Sequence, residues 1–206
     1  EVDLFAVAEG PGSFTGLRIG LATVKAFAAH LNRKVAGVST LAAVAHASGA
    51  DGEIVSLLPA GRGEVFAQRF WVDKRNLAVI DDARHLSPAA VMERYGEIER
   101  LIIVGEGARM FENFGVPPSG GGEEKESGAP KGGPPNTRQG GALNEGWMVI
   151  DESRNLAPSI ALLGLRNYRE GKSVAPDELR AVYVRASDAE INEQWQRQKV
   201  LQPAQG

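Results

Sequence analysis

The first 50 residues alternate between short apolar runs and a segment with helical periodicity. Val2–Ala8 (VDLFAVA) is apolar apart from one acid, which is typical of a buried strand. Leu17–His30 carries apolar or small residues at helical spacing, and Lys34–Val38 predicts a second strand. A further helix is predicted to end near Ser48. Strand, loop, helix, strand and helix in this order predict an α/β fold.

The rest of the chain predicts more strands and two helices. Apolar runs predict strands at Glu53–Leu58, Glu64–Val72, Leu77–Arg84, Leu101–Val104 and Met148–Asp151. Ser87 followed by Pro88 combines a helix N-cap with a first-turn proline, so a helix should begin there and end near Tyr95. Another helix is predicted at Ser159–Glu170, and Pro176–Arg185 leads into a last strand.

Changes in composition divide the chain into two predicted lobes. Residues 1–50 are predicted to form what this chain contains of a first α/β lobe, and residues 51–190 are predicted to form a second one. Within the second lobe, 14 of the 30 residues of Pro117–Gly146 are Gly or Pro, above the roughly 25–30% that marks low complexity. With few apolar residues this segment cannot offset its ordering entropy, so we predict a flexible insertion. Residues 191–206 are predicted to be a polar tail.

Composition and charge exclude several classes of function. The chain has no cysteine, which excludes disulfide frameworks, thiolate zinc sites and cysteine nucleophiles, and which fits the cytoplasmic location that we predict. The net charge of −3 argues against a protein that binds nucleic acid alone, because phosphate neutralisation needs concentrated Lys and Arg. No apolar run is long enough to span a membrane.

The segment Gly10–Gly16 (GPGSFTG) joins a predicted strand to a helix N-terminus, where free N–H groups and the helix dipole favour an anion. Its glycine spacing fits neither the dinucleotide fingerprint nor the Walker loop. Two interpretations therefore stay open, an anion or nucleotide loop and a purely structural turn, and the structural turn leads. The residues of the anion interpretation are Gly10, Gly12, Ser13, Thr15, Gly16 and Arg18. Ser13 or Thr15 is also predicted to cap the helix.

Other candidates for chemistry are weaker. The histidines His30, His46 and His85 are scattered singly and lack the spacing of metal ligands. Asp81 and Asp82 form an acidic pair that a solvated loop explains equally well. No Ser/His/Asp set suggests a nucleophile, so the residues alone predict a scaffold with one well-shaped turn.

Four blocks of sequence resemble the TsaB (YeaZ) family, in that family's order. They are GPGSFTGLRIGLATVKAFA (10–28), AGVSTLAAVA (36–45), RGEVF (62–66) and VYVRASDAE (182–190). Two departures accompany the match. The family's leading strand and hairpin have no counterpart, so we expect the first lobe to be truncated at its N-terminus. The family's D-A-R reads Pro59-Ala60-Gly61 here, so any role of that charge pair does not carry over.

The resemblance implies an actin-like (ASKHA, RNase H-like) fold of two α/β lobes. It implies a non-catalytic subunit, with no cofactor and no protease activity. The complex adds threonylcarbamoyl to the adenosine next to the anticodon of tRNAs that read codons starting with A. The implied partners are a TsaD-type catalytic paralogue and a TsaE-type ATPase, with tRNA reached only through the complex. A homodimer is considered for the subunit alone, and no membrane is involved.

The resemblance also bears on individual residues. The catalytic paralogue carries a metal-binding H-x-x-x-H whose positions are occupied here by Thr40 and Val44, so no metal site is expected. The family pairs through helices of its first lobes, which assigns partner binding to Phe14, Leu17, Gly20, Ala22 and Ala29. Packing within the same lobe explains these small residues equally well. An ATP-dependent small-molecule kinase of the same superfold is the alternative function.

Overall fold

A computed structural model describes residues 2–74, 76–114, 147–150 and 155–184. The predicted insertion Pro117–Gly146 and the polar tail 191–206 lie outside these residues. Within them, strands and helices alternate along most of the chain, so the predicted α/β class is confirmed.

The strands are β1 (Leu4–Gly10), β2 (Lys34–Ser39), β3 (Gly52–Gly61), β4 (Glu64–Asp73), β5 (Asn76–Val79), β6 (Arg84–Leu86), β7 (Leu101–Val104) and β8 (Trp147–Ile150). The helices are α1 (Phe14–His30), α2 (Thr40–Ser48), α3 (Pro88–Tyr95), a 3-10 helix (Glu106–Phe114) and α4 (Ala157–Arg169). No helix in the described part of the chain is long and apolar enough to cross a membrane.

The first sheet consists, among the described residues, of the parallel pair β1 and β2. Helix α1 covers it with a small apolar core of Leu21, Ala28, Val35 and Leu179. Helix α4 also packs on it, and a Cβ at Gly164 would collide with the side chain of Ala6. Glycine therefore allows the close approach of α4 to the sheet.

Among the described residues, the second sheet has six strands, in the order β5-β4-β3-β7-β8 with β6 paired to β4. β4 runs antiparallel to its neighbours, whereas β3, β7 and β8 are parallel. Both faces of this sheet are packed. One face meets α3 and the 3-10 helix through Val55, Ile103, Tyr95 and Phe111, and the other meets α2.

The end of the described chain returns to the first sheet. Val174 forms an antiparallel bridge with Val35, with N–H···O distances of 3.0 and 2.9 Å. The division near residue 50 stays a prediction, and α4 and residues 172–184 pack on the sheet of the predicted first lobe.

The structure differs from the sequence predictions in several elements. The predicted strand Leu77–Arg84 is two strands, β5 and β6, because the side chain of Asp81 bonds to β4 and α3 and interrupts the pairing. Pro176–Arg185 is predicted to lead into a last strand; as far as Val184 the described backbone forms isolated hydrogen bonds and no strand ladder, and the residues that follow lie outside the described ones. The 3-10 helix was not predicted, and α4 begins earlier than its apolar spacing suggests.

Candidate functional site

The glycine loop follows the carboxyl end of β1 and leads directly into α1. Gly10 has φ +122°, a conformation that L side chains rarely adopt. Ser13 is the N-cap, and its hydroxyl accepts a hydrogen bond from Gly16 N at 3.3 Å. Helix α1 thus begins at Phe14, one turn earlier than the apolar spacing alone predicts. Of the two predicted caps, Ser13 forms the bond.

A cleft of 290 Å³ opens between the glycine loop, α1 and the start of α2. Its lining residues are Val7, Ala8, Pro11, Gly12, Ser13, Gly16, Leu17, Gly20 and Thr40. None of these described lining residues is charged, although residues at the N-termini of α1 and α2 are among them. Arg18 does not line it either. Its guanidinium carbon lies 3.7 Å from the centroid of the Phe14 ring, a cation–π contact.

These placements weaken the anion interpretation without testing it directly. The only cation predicted for an anion, Arg18, is engaged with an aromatic ring, and Gly10 and Thr15 lie outside the cleft lining. The loop has the properties of a structural turn, because Ser13 caps α1 and the loop leads directly into Phe14. The anion or nucleotide role of this loop stays a prediction.

Helix α1 carries two apolar faces. Leu17, Leu21, Val24 and Ala28 are half-buried or buried toward the sheet. The opposite face, here called the outer face, is exposed along its length at the spacing i, i+3, i+4, i+7, i+8. Its residues are Ile19, Ala22, Thr23, Ala26 and Phe27. A helix that is apolar on both sides is typically buried on both sides.

The predicted partner-binding residues do not share one face of α1. Ala22 belongs to the outer face and Ala29 is exposed near it, whereas Leu17 and Gly20 line the cleft. Gly20 and Ala22 point about 160° apart, because successive residues of an α-helix turn by about 100°. Phe14 is partly exposed at the loop.

Sequence analysis missed the two large side chains of the outer face. Ile19 is 63% exposed and Phe27 is 57% exposed. The signal was present as a second apolar row on the same helix, with Ile19, Ala22, Ala26 and Phe27 at i, i+3, i+7 and i+8, but both rows carry the same chemistry. Only the packing distinguishes the row that faces the sheet from the row that faces solvent.

Glu9 is a second residue that sequence analysis missed. It is the penultimate residue of β1, beside the glycine loop, and a Cβ at Gly37 would overlap its carboxylate, so the side chain lies directly on the Gly37 backbone of β2. Burial raises the pKa of the Glu9 carboxyl above its ordinary value of 4.5. An ionised Glu9 therefore costs folding free energy at neutral pH.

We expect Glu9→Gln to raise the melting temperature at about pH 7 and to have no effect at about pH 4. A carboxyl whose folded-state pKa is raised contributes stability below its unfolded pKa and loses it as pH rises through the folded pKa. Thermal melts of both proteins across this pH range measure the difference. Glu97→Gln, at an exposed position, is the matched control and should change neither melt. A Glu9→Gln protein that is less stable at neutral pH would contradict this account of Glu9.

His46 and Ser159 form a serine–histidine contact that the sequence did not suggest. His46 Nδ1 lies 2.9 Å from Ser159 Oγ, and this bond joins α2 to the first turn of α4. Ser159 is 6% exposed, so its hydroxyl cannot reach a substrate while α4 is packed. The contact fits a role in helix packing.

The two positions that match the paralogue's histidines also differ in environment. Val44 is buried in the apolar cluster that contains Leu41 and Phe70. Thr40 lines the cleft, and its Oγ1 atom is buried. Among the described residues, no group of three or more His, Cys, Asp or Glu side chains is arranged to hold a metal ion.

The architecture matches solved structures of one class of protein. A protein described as uncharacterized, with similarity to peptidase YEAZ from Pseudomonas aeruginosa, superposes with a TM-score of 0.67 at 21% identity, over 89% of this chain and 74% of that one. YeaZ from Pseudomonas aeruginosa gives a TM-score of 0.65 at 21% identity, over 88% and 74% of the two chains. The fold implied by the sequence resemblance is therefore confirmed.

The sequence matches agree with the fold. Residues 1–120 match the family described as TsaD: tRNA N6-adenosine threonylcarbamoyltransferase. The tRNA threonylcarbamoyladenosine biosynthesis protein TsaB of Escherichia coli (strain K12) is 26% identical over 191 residues, which cover 90% of this chain and 71% of that protein. The chain belongs to this threonylcarbamoyltransferase family and, within it, to the TsaB/YeaZ proteins.

Proposed function

We propose that this protein is a non-catalytic subunit of the machinery that adds threonylcarbamoyl to the adenosine next to the anticodon of tRNAs reading codons that start with A. Its role is to pair with a TsaD-type catalytic paralogue through the outer face of α1. The relative from Escherichia coli is named for biosynthesis of the same modified nucleoside, which supports the pathway. The exposed apolar outer face is the observation that carries the role as a pairing subunit.

The outer face has the properties of a helix-packing surface. Its spacing i, i+3, i+4, i+7, i+8 places all five residues on one side of the helix. The Thr23 hydroxyl donates to the Ile19 carbonyl at 2.9 Å, so its hydrogen bond is satisfied inside the helix. The small side chains Ala22 and Ala26 allow a partner helix to approach closely between the larger residues Ile19 and Phe27. Contiguous exposed apolar surface of this kind marks an interaction site.

The remaining partners follow from the family. A TsaE-type ATPase joins the pair, and tRNA is bound through the complex, in keeping with a net charge of −3 on this chain. The reaction and the absence of cysteine fit the cytoplasm.

Catalysis by this subunit itself finds little support among the described residues. The serine–histidine contact is buried between helices, and the cleft at the glycine loop lacks charged lining. A kinase of this superfold would need acidic residues to hold Mg²⁺ beside its phosphate loop. Neither protease nor kinase activity is therefore part of the proposal.

Calorimetric titration of the full-length protein with the TsaD-type paralogue from the same organism tests the proposal. We expect a saturable complex of defined stoichiometry. A lack of binding under conditions where both proteins are folded would overturn the pairing role.

A further inference from the structure

Residues 179–183, near the end of the described chain, are here called the strap. They run from the middle of α1 to the glycine loop. Leu179 is buried in the core between α1 and β2, together with Leu21 and Val35. Its carbonyl accepts a hydrogen bond from Lys25 Nζ at 3.2 Å. One end of the strap is therefore fixed to the middle of α1.

The other end of the strap meets the glycine loop. Val182 N donates to the Glu9 carbonyl at 2.7 Å, and a Cβ at Gly10 would collide with the Val182 carbonyl. The ring of Tyr183 lies 5.6 Å from the ring of Phe14, the first residue of α1. Backbone and aromatic contacts thus connect the strap to the glycine loop and to the first residue of α1.

We infer that the strap is a positioning device, which holds the glycine loop and the first turn of α1 in the conformation that the partner meets. Its contacts fall on Glu9 and Gly10, where the register of the β1–β2 pair shifts, and on Phe14, the first residue of α1. Loosening the strap should therefore free the loop and the first turn while the middle of α1 stays packed on the sheet. The effect on pairing rests on the proposed function, whereas the effect on the loop does not.

Hydrogen exchange of the full-length Tyr183→Ala protein tests the inference. Tyr183 is 47% exposed, so the truncation removes its contact with Phe14 without opening the core. We expect the amides of Gly16, Leu17 and Val182 to exchange roughly two- to tenfold faster, the factor that corresponds to one aromatic pair. Amides from Leu21 to Ala28 should be unchanged. Binding to the TsaD-type paralogue should weaken by a similar factor.

Tyr168→Ala is the matched control, because Tyr168 is 46% exposed on α4. It should leave exchange at the loop and binding unchanged. Gly10→Ala disturbs the strap at its other contact with the loop, because the new Cβ would displace Val182. It should make the same amides exchange faster.

The outcomes separate the two claims. Unchanged exchange at Gly16, Leu17 and Val182 in Tyr183→Ala would overturn the inference that the strap holds the loop. Equally faster exchange along the whole of α1 would overturn it too. Faster exchange at the loop with normal pairing would overturn its link to the partner. If the wild-type protein does not pair, the proposed function fails, and the exchange data still decide whether the strap holds the loop.

Discussion

Placing an aspartate at Ile19 is expected to weaken pairing with the TsaD-type paralogue by about 3 kcal/mol, roughly a hundredfold in dissociation constant. Ile19 is the most exposed large residue of the outer face. In the free subunit the new carboxylate stays in water, so the fold should tolerate it. In the complex the same carboxylate would be desolvated against an apolar partner without a counter-charge. Calorimetric titration measures the loss of affinity, and thermal melts check the fold.

Val79→Asp is the matched control for this prediction. Val79 is also exposed and apolar, at 59%, but it lies on β5 of the second sheet. It should bind the paralogue normally. A folded Ile19→Asp protein that binds like the wild type would show that the interface lies away from the outer face.

Gly20→Leu tests whether the proposed interface includes the side of α1 that lines the cleft. A Cβ at Gly20 meets no atom within 4 Å, and Gly20 lines the cleft, so a larger side chain can extend into open space. Leucine is also the better helix former by roughly 0.8–1 kcal/mol. The melting temperature should therefore be maintained or raised. Weaker pairing by this variant would then report an interface that includes the cleft side of α1.

Removing the carboxylate of Asp81 is expected to cause the largest loss of stability, about 3 kcal/mol or roughly 6–12 °C in melting temperature. Asp81 Oδ1 accepts from Arg69 N at 2.8 Å, and Oδ2 accepts from Tyr95 Oη at 2.9 Å and from the Arg94 guanidinium at 3.1 Å. Its side chain is 13% exposed. Asp81→Ala would leave the buried Tyr95 hydroxyl and the Arg69 amide without this acceptor.

Two further variants isolate the cause. Asp82→Ala removes the neighbouring, exposed carboxylate and should melt within about 1 °C of the wild type, as most surface substitutions do. Tyr95→Phe should lower the free energy of unfolding by about 1 kcal/mol, the net contribution of one hydrogen bond. Burial and Asp81 raise the pKa of Tyr95 to about 12, so its hydroxyl stays a donor throughout the usable pH range. An Asp81→Ala protein as stable as the Asp82→Ala protein would show that these hydrogen bonds make no net contribution to the free energy of unfolding.

Local patterns were sufficient to predict much of the fold. The apolar spacing of Leu17–His30 gave most of α1, and Ser13, Ser39 and Ser87 each cap a helix. Such signals are readable because cap, period and turn act over a few residues. The strand pair β3 and β4 was predicted for the same reason, since a short turn joins the two strands.

The proposed pairing surface required tertiary information. Ile19 and Leu21 are chemically alike, and only the packing of α1 on the sheet leaves one exposed and the other buried. Asp81 was open to interpretation as a solvated residue, because its partners lie 12 to 14 positions away in sequence. The strap joins Val182 to Glu9 across nearly the whole described chain, so no local pattern encodes it.

Reconstituted threonylcarbamoylation of tRNA is the most direct test of the central claim. Purified full-length protein, the TsaD-type paralogue and the TsaE-type ATPase are combined with tRNA and an activated threonylcarbamoyl donor, and each protein is then omitted in turn. The account predicts that modified tRNA forms only when this subunit and the paralogue are both present, and that this subunit without the paralogue forms none. Full modification without this subunit, or modification by this subunit without the paralogue, would contradict it.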